Sequence, residues 1–448
     1  MKTDLWIPIL HKKLGMTEDT TEIAERISRG IADEGNRFVE IVGALINIHK
    51  RDYHDAREIR VKFEGMTTEV SKQGRELFLY CRNVPMGCLY DGKQVIWASV
   101  EQISAAIRDI IFPPAMPQDF SQGVDVSAYV KKFVEHAGFL YRGERGLVVF
   151  TWGGHRVNRK EYEFAKQVGY WTALQLPDME NITGCGDGIM KAPFKGAQVA
   201  YGKQCTLERF GKRDFIGFTE KNILAAEPPN EVVNRFVVFP NIEQRMEAFI
   251  RASHRGRAHP GGPGTIEEIL TMLALLSDPH NREIPFEFDL VEQPGGEYFK
   301  ALQEYLHTCF GNAVDGMYTI FLDPPHKYAQ HLAETTKKLP MRYLWNDDFR
   351  FDPRFQKPFE VTFESMEALD LTRDQEPMDL LINLRRFFSS IVHLSVRDPD
   401  MLDSWGDERP LIRGDKKIVT ATNDLVKRLE DQDRIHPNKK YATPFRIE

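Results

Sequence analysis

The segment 146–152 constrains the fold more than any other part of this sequence. It consists of Gly-Leu-Val-Val-Phe-Thr-Trp, an apolar run without alternating polar positions. Such a run is typical of a parallel strand that is buried on both faces of a sheet. Two glycines follow directly, and a helix-like stretch covers 161–173. A strand, a glycine turn and a helix in this order predict an α/β domain with a parallel sheet.

More units of the same kind follow along the chain. Strand candidates lie at 214–219 and 235–239, and a helix is expected over 242–253. A second helix is expected over 265–276, directly after a glycine-rich loop. We therefore predict an α/β fold in which the middle of the chain forms a doubly wound, Rossmann-like parallel sheet.

The length of 448 residues predicts more than one domain. Before residue 140, the sequence contains charged helical stretches and two strand candidates, at 59–63 and 77–80. A turn is expected at 90–93, and a helix follows it and ends at Phe112, before the proline-rich segment 113–117. After residue 344 no glycine-rich loop occurs, and the segment 378–396 places large apolar side chains on one helical face. These side chains are Leu380, Leu384, Phe387, Phe388, Ile391 and Leu394.

We accordingly predict three domains. A small α+β domain for regulation or assembly covers 1–140, the Rossmann-like domain covers 141–343, and a mainly helical packing or oligomerisation domain covers 344–448.

Charge and cysteine content exclude several classes of function. Lys and Arg number 59 against 66 Asp and Glu, so the net charge is −7 and provides no polybasic surface for nucleic acid or anionic lipid. No run approaches the ~18 apolar residues of a membrane span. The five cysteines show neither a C-x-x-C pair nor zinc-site spacing, which predicts reduced thiols, a cytoplasmic protein and no bound metal. They are Cys81, Cys88, Cys185, Cys205 and Cys309.

The loop 260–268 carries the strongest chemical signal, Pro-Gly-Gly-Pro-Gly-Thr-Ile-Glu-Glu. Its glycines let backbone N–H groups approach an anion, and Thr265 is expected to cap a helix whose N-terminal dipole favours phosphate. Glu268 follows three residues after this cap, where its carboxylate can point over the loop. The alternative is a capping box, in which Glu268 bonds the backbone of Thr265.

These nine residues match P-G-G-x-G-T-x-x-E, and the chain resembles the cytokinin-activating nucleoside-monophosphate phosphoribohydrolases, a superfamily long mislabelled as lysine decarboxylases. In that superfamily the glutamate acts with an arginine 23 positions earlier, which corresponds to Arg245 here. The alternative for Arg245 is a surface helix arginine paired with Glu247 or Asp214.

A closer resemblance covers nearly the whole chain. The segments 153–155, 161–162, 183–191, 193–197 and 225–230 are similar to those of the bacterial pyrimidine/purine nucleotide 5′-monophosphate nucleosidase family. The segments 90–92, 108–112, 384–389 and 414–416 resemble its flanking domains. The resemblance implies hydrolysis of the N-glycosidic bond of a nucleoside 5′-monophosphate without a metal or redox cofactor. It also implies a homo-oligomer, either a dimer or a tetramer, and a guanosine alarmone as an effector.

The same resemblance implies the site residues. Glu268 is the candidate for stabilising the sugar cation or activating water, and Arg245 is the candidate for holding the substrate or orienting Glu268. The residues expected to bind substrate and phosphate are Gly153, Gly154, Gly186, Gly188, Met190, Asn230, Gly261, Gly262, Gly264 and Thr265.

Two segments depart from the family pattern. A hydrophobic strand normally precedes Pro-Gly-Gly, but here 254–259 is His-Arg-Gly-Arg-Ala-His, so either the strand is short or these side chains serve the ligand. Arg257 and His259 are expected either to add positive charge beside the phosphate or to have solvent-facing or structural roles. The segment 285–292 alternates in polarity like a half-exposed edge strand.

Other functions are weaker interpretations. A dinucleotide fingerprint would need glycine at position 189, where Ile189 stands. Cys185 has no activating histidine nearby in sequence, which favours a packed thiol over a nucleophile. His155 can reach the ligand or cap a helix. A nucleotide sensor that binds without turnover would not need Glu268. An amino-acid decarboxylase would need a Schiff-base lysine for pyridoxal phosphate, and no lysine here stands in such a motif.

Overall fold

The computed structural model describes residues 1–15, 19–50, 52, 55–113, 125–139, 146–204, 214–338, 344–345, 349–435 and 446–447. The prolines at 114 and 117, Cys205 and the predicted domain boundaries at 140 and 343 lie outside the described residues. The division into three domains therefore stays a prediction.

The N-terminal part combines helices with an antiparallel sheet whose strand order is β1-β3-β2. The elements are β1 (Lys2–Ile9), α1 (His11–Leu14), α2 (Thr20–Glu34), α3 (Asn36–Ile46), α4 (Ala56–Lys62), β2 (Thr67–Gln73), β3 (Glu76–Pro85), α5 (Trp97–Ile111) and α6 (Val126–His136). The strand predicted at 77–80, the turn at 90–93 and the helix ending before Phe112 are confirmed. The strand predicted at 59–63 is wrong, because Asp55 caps a helix there by accepting the N–H of Glu58.

The middle of the chain contains seven strands in the order β10-β9-β8-β4-β5-β6-β7. The elements are β4 (Val148–Trp152), α7 (Arg159–Gln175), β5 (Glu180–Thr183), α8 (Ala192–Lys203), β6 (Phe215–Glu220), β7 (Arg235–Phe239), α9 (Ile242–Arg251), β8 (Arg255–Ala258), α10 (Pro263–Ser277), α11 (Pro279–Arg282), β9 (Glu287–Val291), α12 (Tyr298–Phe310), β10 (Thr319–Phe321) and α13 (Pro325–Lys338).

This sheet confirms the predicted α/β fold. From β4 the order runs outward through β5, β6 and β7, whereas β8, β9 and β10 extend from the other side of β4. The strand order therefore reverses between β4 and β8, which is the topological switch point where doubly wound folds bind ligands.

The C-terminal part is mainly helical but includes a parallel sheet of order β11-β12-β13, which the sequence did not predict. The elements are α14 (Pro353–Gln356), α15 (Phe363–Glu367), β11 (Asp370–Leu371), α16 (Pro377–Val392), α17 (Pro399–Ser404), β12 (Leu411–Gly414), α18 (Lys416–Asp431) and β13 (Arg446–Ile447).

The chain divides into two compact units. Unit 1 comprises Met1–Glu144, Gly184–Gly186 and Asp214–Ala248, and unit 2 comprises Arg145–Thr183, Asp187–Arg213 and Phe249–Glu448. None of the described helices has the length and apolar character that are needed to cross a membrane.

In unit 1, helix α5 is fastened to strand β7 by a buried ion pair. Arg108 and Asp109 lie 2.6 Å apart, from Nε to Oδ1. Arg108 also donates to the carbonyl of Phe236, and the N–H of Val238 donates to Asp109, so both side chains bond the backbone of β7. A buried pair needs such extra partners to offset the loss of water.

In unit 2, the apolar face of α16 packs against α10, which follows the glycine-rich loop. The side chains that form the face from Leu380 to Leu394 are buried. Beside them, Arg385 of α16 lies 3.5 Å from Glu267 of α10, and both side chains are almost completely excluded from water. The predicted apolar face therefore has its partner within the same chain.

Candidate active site

Two glycine loops meet at the switch point of the sheet. The loop 153–154 follows β4 and the loop 260–262 follows β8, and the N–H of Gly154 donates to the carbonyl of Pro260 at 3.1 Å. A Cβ on Gly154 would lie 2.7 Å from the Cα of Gly261, and one on Gly261 would lie 2.6 Å from the nitrogen of Gly154. Neither position can hold a side chain, so the two loops form one continuous backbone surface.

A third segment of unit 2 completes this surface. The N–H of Ile189 donates to the carbonyl of Gly154 at 3.0 Å, and Met190 follows as a half-buried residue. Gly188 has a φ of +63°, and a Cβ there would collide with the carbonyls of Gly154 and His155. Gly153, which follows β4 and packs against Ile189, belongs to the same cluster.

Helix α10 begins earlier than the sequence predicted. Its N-cap is Gly262, Pro263 occupies the first turn, and the N–H of Thr265 donates to the carbonyl of Gly262. Thr265 is therefore inside the helix, and the predicted cap at this residue is wrong. The physical reason is that the fixed φ of proline suits the first helical position.

This start also decides between the two interpretations of Glu268. The N–H of Thr265 is already bonded to Gly262 and Glu268 lies in the second helical turn, so the capping-box alternative is wrong. Gly264 lies in the first turn, where its N–H has no intrahelical acceptor of the i−4 kind. The start of α10 therefore presents the N–H of Gly264 and the positive end of a helix dipole at the glycine surface.

The two predicted catalytic residues are both buried. Glu268 belongs to unit 2 and Arg245, on α9, belongs to unit 1, and each is 8% exposed. The interpretation of Arg245 as a surface arginine is therefore wrong. Joint action of Arg245 and Glu268 stays a prediction.

Unit 1 contains the other predicted contacts. The side chain of Asn230 is fully buried and donates to the carbonyls of Cys185 and Gly186, at 2.6 and 2.9 Å. Asn230 therefore fixes the loop that carries Gly186. Cys185 is a buried thiol packed so closely on Gly217 that a Cβ there would lie 2.5 Å from its sulfur, which agrees with the packed-thiol interpretation.

His155 is exposed beside the unit 2 loops, and it does not cap α7. Asn158 is the N-cap of that helix and forms a capping box with Glu161. The helix-cap alternative for His155 is therefore wrong, whereas a contact with the ligand stays a prediction.

The two segments that depart from the family pattern are neighbouring strands with complementary charges. In the parallel pair β8 and β9, Arg255 is in register with Glu287, and Arg257 is in register with Asp289. Arg255 forms ion pairs with both acidic residues. Because β9 lies between β8 and β10, the prediction of an exposed edge strand at 285–292 is wrong.

Polar side chains on β4, on β5 and on α13 extend the charged pairs of β8 and β9 across the sheet. Arg257 donates from Nε to the hydroxyl of Thr151 on β4 at 2.8 Å, and Thr151 donates to Asn181 on β5 at 2.8 Å. On the other side, the hydroxyl of Tyr328 donates to Asp289 at 3.0 Å. Burial raises the pKa of Asp289, whereas the neighbouring arginines lower it. Arg257 with Thr151 and Tyr328 with Asp289 are thus hydrogen-bonded pairs inside the sheet, and all four side chains are buried.

His259 does not add positive charge to the site. It is completely buried, and burial lowers the pKa of its imidazole to about 3, with the charge of Arg257 acting in the same direction. The ring instead packs edge-on against Phe164, with 6.2 Å between the ring centres. The expected positive charge at 259 and the solvent-facing alternative are therefore both wrong.

Unit 2 combines an anion-binding backbone with a nearby carboxylate. The N–H of Gly264 and the dipole at the start of α10 suit an anion, and Glu268 follows in the next turn of the same helix. Among the residues the structure describes, no three His, Cys, Asp or Glu side chains are grouped closely enough to hold a metal ion. The sequence did not reveal Glu161 and Arg434, which form a buried ion pair near the loops, because 273 positions separate them.

Comparisons with known proteins complete these observations. A family model described as "Pyrimidine/purine nucleotide monophosphate nucleosidase, C-terminal" matches residues 329–448, and one described as "Possible lysine decarboxylase" matches 190–331. The chain is 33% identical over 417 residues to the pyrimidine/purine nucleotide 5′-monophosphate nucleosidase of Escherichia coli K12, and the match covers 88% of this chain and 89% of that protein. The protein of the same name from Escherichia coli O157:H7 gives the same values.

Solved structures include a weaker likeness. The molybdenum cofactor binding protein from Rippkaea orientalis has a TM-score of 0.31 at 14% sequence identity. The match covers 44% of this chain and 99% of that chain. A likeness of this size says nothing about function.

The low pKa of His259 predicts a pH dependence of stability. The unfolded chain takes up a proton near pH 6.5 and the native imidazole only near pH 3, so stability falls as the pH drops through this window. His259→Phe should therefore lose about 1.4 kcal/mol less stability than the wild type between pH 7.5 and 5.5. Urea unfolding at both pH values measures this difference. The exposed control His155→Gln should follow the wild type, and equal losses in all three proteins would contradict the prediction.

Proposed function

Since this chain belongs to the pyrimidine/purine nucleotide 5′-monophosphate nucleosidase family, we propose that it hydrolyses the N-glycosidic bond of nucleoside 5′-monophosphates. The products are ribose 5-phosphate and the free base. This reaction matches the name of the Escherichia coli relatives, and it requires recognition of a phosphate and a carboxylate close to the sugar.

One observation carries the proposal. The Gly154 and Gly261 backbones touch at the switch point, directly before a helix that bears Glu268 in its second turn. A side chain on either glycine would fill the space over this backbone surface. The arrangement therefore supports a phosphate held by backbone N–H groups at a helix N-terminus.

The proposed chemistry assigns a role to each group. Departure of the base leaves positive charge on the sugar ring, and the carboxylate of Glu268 stabilises this charge or takes the proton of the attacking water. Arg245 holds the substrate or orients Glu268, because a guanidinium can bind phosphate or a base carbonyl through two donors. Gly261, Gly262, Gly264 and Thr265 bind the 5′-phosphate.

The remaining predicted residues shape the same site in this proposal. Gly153, Gly154, Gly188 and Met190 form the wall that faces the sugar or base. Asn230 acts indirectly, because its amide donates to the carbonyls of Cys185 and Gly186 and so fixes the loop.

The phosphate requirement gives the first test of this function. The purified protein is incubated with a panel of nucleoside monophosphates and with the matching nucleosides, and free base is measured by chromatography. We expect turnover of one or more monophosphates and kcat/KM values for nucleosides that are lower by at least about 100-fold, because charge-assisted bonds to the phosphate are lost. Comparable rates for adenosine and its monophosphate would contradict a phosphate site.

The role of Glu268 is tested separately. Glu268→Gln keeps the shape of the side chain but removes its charge, so kcat should fall by at least about 100-fold while nucleotide binding persists. The exposed Glu283→Gln is the matched control and should behave like the wild type. Near wild-type turnover by Glu268→Gln would exclude the carboxylate from the chemistry.

We also propose that the protein is a homo-oligomer, a dimer or a tetramer, and that a guanosine alarmone binds in unit 1. A cavity of 360 Å³ lies there among α1, α5, the end of α6 and the start of β7. Its lining includes the cations Lys12, Lys13, Arg108 and Arg235, with Glu101 as the one carboxylate in the lining among the residues described. Arg108 is paired with Asp109, Arg235 with Asp214 and Lys13 with Glu101, so Lys12 is the cation expected to contribute most to binding. A volume and a charge of this kind suit a phosphorylated small molecule.

The effector proposal has its own test. Calorimetric titration with guanosine tetraphosphate should show binding to the wild type, and Lys12→Glu should weaken it by on the order of tenfold or more, because a cation becomes an anion. Lys131→Glu, an exposed change on α6 outside the cavity lining, should have little effect. Equal affinity in all three proteins would remove the cavity as the effector site. Size-exclusion chromatography with light scattering on the same purified wild type measures the oligomeric state, and a dimer or a tetramer is expected.

A further inference from the structure

The end of helix α18 lies directly on the glycine-rich loop of unit 2. A Cβ on Gly262 would lie 2.5 Å from the carbonyl oxygen of Arg434, which follows α18 by three residues. Any residue other than glycine at 262 would therefore push this segment away. The contact joins a residue near the end of the described chain to the N-cap of α10.

The side chain of Arg434 is buried in the same place. Its Nη2 donates to Glu161, its Nε donates to Gln432 at 2.7 Å, and its guanidinium lies over the ring of Tyr298 at 5.0 Å from the ring centre. The side chain is only 5% exposed. The ring of Tyr298 is itself buried, and this burial raises the pKa of its phenol.

One nitrogen of this guanidinium donates no hydrogen bond to the described residues. Nη1 is buried and has no hydrogen-bond acceptor among the described residues. The nearby carboxylates are already committed. Glu161 accepts from Arg434 and from the N–H of Asn158, and Glu292 accepts from the N–H groups of Tyr298 and Phe299. A buried donor without an acceptor is costly in the free protein and becomes satisfied when an anion arrives.

We propose that Arg434 binds the 5′-phosphate of the substrate through Nη1, so that the end of α18 completes the phosphate site above Gly261 and Gly262. This inference rests on the proposed function and adds a residue to it. The ion pair with Glu161 holds the guanidinium in place, and the phosphate accepts from the remaining donors of the same group. Arginine suits this double role because its donors point in fixed directions.

With Arg434 in this role, the glycine-rich loop depends on the C-terminal segment for part of its positive charge. The backbone N–H groups of the loop contribute partial charges, whereas Arg434 contributes a full positive charge from a buried side chain. Binding of substrate also depends on α18 being docked, because the contact with Gly262 and the guanidinium come from the same residue.

The test uses the full-length protein and two substitutions with different expected results. Arg434→Met removes the donor but keeps the length of the side chain, and it should raise the KM for the nucleoside monophosphate and the Kd for ribose 5-phosphate by on the order of 10- to 100-fold. Arg434→Lys keeps the charge and should recover part of this loss. Glu161→Gln removes the charge of the partner but keeps an acceptor oxygen and leaves the donors of Arg434, so it should lower the thermal midpoint and raise the Kd for ribose 5-phosphate far less than Arg434→Met does.

A structural clasp would give another pattern. If Arg434 served only the ion pair, Arg434→Met and Glu161→Gln would lower the thermal midpoint alike and change the Kd for ribose 5-phosphate alike, and the proposal would be overturned. Arg428→Met, an exposed change on α18, is the control for the loss of an arginine from this helix. If the wild type hydrolyses nucleotides and Arg434→Met still binds ribose 5-phosphate with unchanged affinity, the role of Arg434 is refuted but the proposed function is not. A wild type that neither hydrolyses nucleotides nor binds ribose 5-phosphate would refute the proposed function itself.

Discussion

The contact between the backbones of Gly154 and Gly261 is the constraint on which the unit 2 site depends. It exists because β4 and β8 are adjacent parallel strands, so their carboxyl ends deliver two loops to the same edge of the sheet. Neither glycine can carry a side chain, because its Cβ would lie less than 3 Å from backbone atoms of the other loop. The sheet thus determines the position of the loops, and the loops determine which atoms face a ligand.

The charged strands show how a buried sheet can accept residues that normally avoid it. Arg255 and Arg257 of β8 would be costly alone, since removing one partner of a buried pair costs about 3–5 kcal/mol. Their register partners on β9 are Glu287 and Asp289, so the two unusual segments are one feature. Replacing one of the four charges alone would therefore leave its partner buried without a counter-charge.

Much of the fold could be predicted from local sequence, and the exceptions have physical causes. The apolar run that forms β4 and the strand at 235–239 were evident, because their signals lie within the strands themselves. The start of α10 was misplaced because Thr265 is a good cap in general, whereas here the proline at 263 already begins the helix. Burial of β8 was not evident, because the acidic residues in register with its arginines lie on a strand about thirty residues away. Arg434 could not be linked to the glycine loop, because nothing local to position 434 indicates a ligand.

The Arg108–Asp109 pair has a consequence for how copies of this chain can meet. Strand β7 is last in the strand order, and an unprotected last strand offers backbone groups to which a foreign strand can add. Here the carbonyl of Phe236 and the N–H of Val238 are already occupied by side chains from α5. A foreign strand could pair with this border only by displacing the side chains of Arg108 and Asp109, so the buried pair also protects the sheet against intermolecular strand addition.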